Sequence, residues 1–90
     1  MIDLKKVKDC FEQGDIQTAY EMVAAIEIEI SDENELLLCA EVCKKVQKIA
    51  EAINWYNRLL ELIPDHPFAK TQVQMLNSIL EFRYKDLYNP

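Results

Sequence analysis

The residues able to do chemistry in this chain are few. There is one histidine, His66, set between Asp65 and Pro67. A general base needs a pocket and a partner to move a proton, and a histidine inside an inter-helix turn reads as a capping or exposed residue. The two serines, Ser31 and Ser78, have no nearby His–acid pairing to activate them. The three cysteines are Cys10, Cys39 and Cys43. An odd number is a poor disulfide framework. Cys39 and Cys43 stand four apart, so one helix face would offer two thiolates, with Cys10 as a third. Structural zinc asks for four ligands, with its cysteines in short loop spacings. The plainer reading is three small, buried apolar residues. The acidic cluster Glu27, Glu29, Asp32, Glu33 and Glu35 lacks the glycine-centred spacing of a calcium loop. A single glycine, Gly14, excludes phosphate-cradling and dinucleotide loops. The expectation is a protein that is not an enzyme and carries no cofactor and no metal.

Composition narrows the partners. The net charge is −6, and a phosphate backbone repels carboxylates while attracting Lys and Arg, so no nucleic-acid partner is expected. Lys5, Lys6 and Lys8, and Lys44, Lys45 and Lys48, are the basic clusters, and both read as solvated helix faces. The longest apolar run, Leu36–Ala40, falls far short of the roughly 20 residues a membrane helix needs. No apolar stretch follows the basic residues near the N-terminus, as a signal peptide would require. A cytoplasmic location is the expectation. Half of the 90 residues are hydrophobic and 29% are charged, which suits one small globular domain of modest stability.

The elements follow from spacing. Leu4, Val7 and Phe11 form one helical stripe, with Cys10 beside it. Gly14 supplies a left-handed stop, and Asp15 is placed to cap a second helix that carries Ile16, Ala19, Val23, Ile26 and Ile30. The run Ile26–Ile30 alternates like a strand, but no second strand is present to pair with it, so helix is expected there. Asp32 with Glu35 resembles a capping box. From Glu33, the positions Leu36, Ala40, Cys43, Val46, Ala50, Ile53, Asn57, Leu60 and Ile63 step by three or four up to Pro64. Taken alone, that stretch permits one helix of about 30 residues, roughly 45 Å long. Asp65 or His66 caps a last helix with Pro67 in its first turn. That helix buries Ala69, Val73, Leu76, Leu80 and one of Arg83 or Tyr84. The tail 85–90 is expected to fray, with Leu87 and Tyr88 as residues able to pack back.

An internal repeat organises these elements. Gly14-Asp15-Ile16-Gln17-Thr18-Ala19 followed by Val23 matches Gln47-Lys48-Ile49-Ala50-Glu51-Ala52 followed by Tyr56, and Ala19 and Ala52 lie 33 residues apart. That is close to the roughly 34-residue period of a tetratricopeptide unit. Ala50-Glu51-Ala52-Ile53-Asn54-Trp55-Tyr56-Asn57-Arg58-Leu59-Leu60-Glu61-Leu62-Ile63-Pro64 resembles the second helix of such a unit and its closing proline. Leu36, Cys39, Ala40 and Cys43 fall where its first helix wants large, apolar, small and bulky residues. The first copy is more worn, with Ser31 in place of the closing proline and Val7 in place of the small residue. The ending, Ile79 to Pro90, resembles the tail of small bacterial single-domain members of the family.

The resemblance implies an all-α superhelix of five helices. Repeat 1 spans about 1–31, repeat 2 about 32–64 and a capping helix about 66–86. Ala19, Ala40 and Ala52 become the small residues at helix crossings, and large residues fill the grooves beside them. The family pattern breaks the long segment near Gln47-Lys48, and that break is expected here. A helix running straight through would imply a domain-swapped dimer. Tyr56 fits the core stripe. Its neighbour Trp55 packs against the next helix or stands exposed as an anchor.

The family's proteins are protein-binding scaffolds, so the resemblance implies a concave groove holding a segment of another protein. Projected onto this chain, the groove is lined or rimmed by Lys8, Asn34, Leu37, Glu41, Lys44, Lys45, Gln72 and Met75. Leu4 and Leu38 stand where the chaperone-tail clamp of the family has Lys and Asn, which speaks against that ligand. The alternative is a structural homo-oligomer with no separate peptide ligand. Phe68, Met75, Ile79 and Phe82 lie off the buried stripe of the last helix and leave apolar surface of the kind that marks an interface.

Overall fold

Five helices follow one another: α1 (Leu4–Glu12), α2 (Ile16–Ala24), α3 (Glu33–Lys45), α4 (Ile49–Leu62) and α5 (Pro67–Tyr88). They are seen in a computed structural model that describes residues 4–27 and 29–88, with side chains described up to residue 82. The fold is all-α, and no strand occurs among the described residues. Helices α1 and α2 form one antiparallel pair and α3 and α4 a second, while α5 packs on α4.

The two pairs turn by the same device. Gly14 has φ 84°, with its N–H donating to the Phe11 carbonyl at 3.2 Å and the Asp15 N–H reaching the Cys10 carbonyl at 2.9 Å. Gln47 has φ 66°, with its N–H on the Lys44 carbonyl at 3.1 Å and the Lys48 N–H on the Cys43 carbonyl at 2.9 Å. Both are Schellman closures, in which a left-handed residue lets the next amides satisfy the last helical carbonyls. The chain therefore breaks at Gln47, and residues 33–63 are two helices. The expected single stripe ends with it. Ala50 and Asn57 are exposed, and α4 instead buries Ile49, Ala52, Ile53, Trp55, Tyr56 and Leu59. The reversal resets the helical phase, so spacing counted through the turn names the wrong residues. Both Trp55 and Tyr56 are buried, because α4 is flanked by other helices on more than one side.

Two further expectations are corrected. Helix α2 ends at Ala24 rather than running to Ile30, closing with short bonds from Ala25 N–H to the Met22 carbonyl at 3.3 Å and from Ile26 N–H to the Val23 carbonyl at 3.1 Å. The β-branched alternation that follows is poor helix material. It forms a non-helical connection in which Glu27 and Glu29 are exposed and Ile30 is buried, with Ile28 outside the described residues. Asp15 precedes α2 but makes no side-chain cap, as its ψ of 67° departs from the extended backbone of a capping residue. Asp32, with ψ 130°, does cap α3, its Oδ1 accepting from the Glu35 N–H.

At the last turn, His66 is the cap. Its Nδ1 accepts from the Ala69 N–H at 3.2 Å, and Pro67 opens the helix. Ala69, Gln72 and Leu76 are buried, while Val73 and Leu80 are half-buried. The helix continues to Tyr88 where fraying was expected. The side chains of Arg83, Tyr84, Leu87 and Tyr88 lie outside the described residues, as do Asn89 and Pro90. Ala19, Ala40, Ala52 and Ala69 are all fully buried, which allows helices to approach closely.

The left-handed turns make a paired prediction. Nothing lies within 4 Å of a Cβ added at Gly14, so Gly14→Ala meets backbone strain alone and is expected to destabilise by about 1 kcal/mol. Gln47→Gly relieves the same strain and is expected to stabilise by about 0.5 kcal/mol, less than the full relief because the glutamine side chain has an interaction to lose. Urea titration of both variants checks this, and the two midpoints should move in opposite directions.

Candidate functional site

An apolar groove of about 610 Å³ lies between α1 and α3. Leu4 and Phe11, two turns apart on α1, and the adjacent Leu37 and Leu38 on α3 form its apolar lining. All four are half-buried and rest against the core. Each helix thus presents apolar side chains that its neighbours leave partly uncovered. The rim carries Lys5, Lys8 and Glu12 from α1 and Asn34, Glu35 and Glu41 from α3. The Lys8–Glu12 pair, 3.9 Å apart, is well exposed on both sides and contributes little to stability.

Beyond Glu41 the site is bounded by a polar bridge between α3, α4 and α5. The Tyr56 hydroxyl donates a short hydrogen bond to Glu41 Oε1. Lys44 Nζ lies 3.4 Å from the same oxygen and 3.0 Å from Gln72 Oε1. The ammonium also sits 5.9 Å from the centroid of the Phe68 ring. Burial, with the Glu41 carboxylate next to it, holds the Tyr56 hydroxyl far above the ordinary tyrosine range, so it stays a donor. The bridge links three helices without leaving a buried charge unpaired.

The groove residues expected from the sequence therefore separate. Lys8, Asn34, Leu37 and Glu41 meet in the α1–α3 groove. Lys44 and Gln72 form the bridge that closes it. Met75 is exposed on α5 beyond the bridge. Lys45 is exposed at the end of α3 and does not line the groove. Sequence reasoning placed Phe11 on the core stripe alone. Its seven-residue spacing from Leu4 was the available signal that both side chains open onto the same face.

The reactive groups are tied up. His66 Nδ1 caps α5, and its Nε2 lies 3.2 Å from Glu33 Oε1. Cys39 and Cys43 are buried and Cys10 is half-buried, all as free thiols. Burial pushes Cys39 up to about 12, and it does the same to Cys43, up to about 12, although a hydrogen bond with the Trp55 side chain pulls the other way. Such thiols are poor nucleophiles and poor metal ligands at neutral pH. Among the described residues, no group of three or more His, Cys, Asp or Glu is placed to hold a metal ion. A second cavity, of about 470 Å³, lies against the α2–α3 connection and the end of α4, with Glu27, Glu29, Arg58 and Glu61 in its lining. Arg58 itself stacks 4.5 Å from the Trp55 ring centroid. No helix among the described residues is long and apolar enough to cross a membrane.

Comparison of the chain with protein-family models, with curated proteins and with solved structures returns no match.

The thiols give a prediction with two readouts. At pH 8, iodoacetamide should modify Cys10 first and leave Cys39 and Cys43 protected until the chain unfolds. Equal rates at all three would refute their burial. For pH dependence, both folded-state values lie above the roughly 8.5 of a free thiol. Their contribution to stability is therefore complete below about pH 8.5 and is lost as the pH rises toward 12. A fall in thermal midpoint over that window, reduced in Cys39→Ala, is the expected result.

Proposed function

We propose that this chain is a non-catalytic protein-interaction module whose α1–α3 groove holds a segment of another protein, and that it works in the cytoplasm. The observation that carries the reading is the apolar lining of Leu4, Phe11, Leu37 and Leu38 under a rim of both charge signs. A groove between helices with an apolar centre and charged edges suits an amphipathic segment. Two apolar side chains of that segment would seat on the two leucines of α3 and on Leu4 and Phe11. A carboxylate beside them would face Lys8, and a cation would face Glu35 and Glu41.

The resemblance to tetratricopeptide units supports the same reading. Their first helices line a concave face, and here α1 and α3 are the first helices of the two pairs. A carboxylate-gripping clamp is not part of the proposal, since Leu4 and Leu38 replace its Lys and Asn. Catalysis is not part of it either, because His66 Nδ1 caps α5 and its Nε2 faces Glu33 on α3, and the two inner thiols are protonated at neutral pH. The net charge of −6 argues against nucleic acid as the partner.

Selection of peptides from a random displayed library tests the reading. Ligands are expected to combine two apolar residues with charges of both signs and to shift the amide resonances of Leu4, Lys8, Leu37 and Glu41. Leu37→Glu changes a half-buried groove residue and should weaken binding by about tenfold or more. Lys8→Glu should alter which ligands are selected. Ligands that bind wild type and Leu37→Glu equally well overturn the proposal.

A further inference from the structure

Helix α5 carries a stripe turned to the core and a second one that the chain uses only in part. Ala69, Val73, Leu76 and Leu80 form the stripe turned toward the core. The other is Phe68, Gln72, Met75, Ile79 and Phe82, spaced four, three, four and three residues apart. That is the heptad spacing with which one helix presents knobs to another. At its start Lys44 Nζ lies 5.9 Å from the Phe68 ring centroid and 3.0 Å from Gln72 Oε1, and the Tyr56 ring stands edge-on to Phe68 at 6.2 Å, yet Phe68 stays 43% exposed. Farther along, Gln72 is buried and Ile79 half-buried against the core, while the residues at seven-residue intervals from Phe68 stay open. Met75 is 44% exposed and Phe82 is 67% exposed.

We propose that this stripe pairs with the same stripe of a second copy of the chain, the two α5 helices running antiparallel about a two-fold axis at Met75. Charge selects the occupant. Each copy carries −6, so two copies repel wherever their charged faces meet. Residues 71–80 are the longest run in the chain without a charge, and the centre of the stripe, Met75 with Ile79, lies on that run. The outer flank is also neutral. Thr71 and Ser78 turn their hydroxyls onto their own helix, bonding the Pro67 and Gln74 carbonyls at 3.0 Å each. A partner selected by charge finds little to read between Lys70 and Glu81, whereas a like-charged copy finds there a helix face that does not repel it.

Symmetry completes the argument. Phe68 and Phe82 each lie seven residues from Met75. An antiparallel two-fold at Met75 sets Phe68 of one copy against Phe82 of the other and methionine against methionine, so the surface is complementary to itself as an isologous contact requires. The stripe is about 21 Å long at about 1.5 Å per residue. That puts the contact at the small end of interfaces, so a reversible dimer in the micromolar range is expected. The contact lies on α5, which contributes no residue to the α1–α3 groove, so either proposal stands if the other fails.

Sedimentation equilibrium of the full chain, from about 1 to about 500 µM, tests the pairing and should show a monomer–dimer equilibrium within that range. Met75→Lys places two like charges together on the axis and should weaken association by a factor on the order of 100, with the helical circular dichroism unchanged. In a Cys10→Ser background, Met75→Cys should form a disulfide-linked dimer on mild oxidation, while Asn77→Cys, on the opposite face of α5, should not. A wild-type chain that stays monomeric throughout overturns the proposal and leaves the stripe to a segment of another protein. So does a Met75→Lys variant that dimerises like wild type, or equal cross-linking at positions 75 and 77.

Discussion

The reversal of the chain at Gly14 and again at Gln47 is the constraint on which the rest of the architecture rests. Each turn puts one residue into left-handed backbone, at φ 84° and 66°. Each returns the next two amides to the carbonyls of the helix just ended. The following helix therefore starts antiparallel and within packing distance. Ala19 and Ala52 then sit at equivalent places five residues on, fully buried. Glycine takes this conformation with little strain, while glutamine takes it because the α3–α4 packing around it leaves no better path. The buried residues gathered on those two helices, from Leu36 to Leu59, are what hold the second turn in place.

Polar links follow the same geometry. The second turn brings Lys48 to 5.8 Å from the Tyr20 ring centroid, and the Tyr20 hydroxyl donates to Glu51 Oε2 at 2.7 Å. The two pairs are thereby stitched through residues at the start of α4. On the other side, Glu41, Tyr56, Lys44 and Gln72 fix α5 to the α3–α4 pair. The groove opens between these two sets of links, where α1 and α3 face each other across apolar side chains.

Much of this was legible in the sequence, for identifiable reasons. The helical class, Gly14 as a stop, Asp32 as a cap and Pro67 as an opener are local matters, decided by backbone preferences that a few residues carry. The break at Gln47 was not local. Without a glycine it followed only from the resemblance to the repeat pattern, and the stripe drawn through it misassigned Ala50 and Asn57. The end of α2 was misread because alternation at Ile26–Ile30 was judged by whether a strand partner existed, when a plain connection also buries an isoleucine. In the candidate groove, Lys8, Asn34, Leu37 and Glu41 came from projecting the repeat pattern onto the first helix of each pair. The separation of Lys44, Gln72 and Met75 from them depends on how far long side chains reach between helices, which spacing does not encode.

The unevenness of the helix contacts has a kinetic side. Packing between α3 and α4 is the most extensive, and contact between α1 and α3 is the thinnest. Most native contacts join neighbours along the chain, so little loop entropy is lost before they form and folding should be rapid. The same arrangement lets the α1–α2 pair loosen from the remaining helices at less free energy than global unfolding requires. The groove sits on that junction. Its width is therefore set where packing between helices is thinnest, and closing on a ligand would add contacts at that junction.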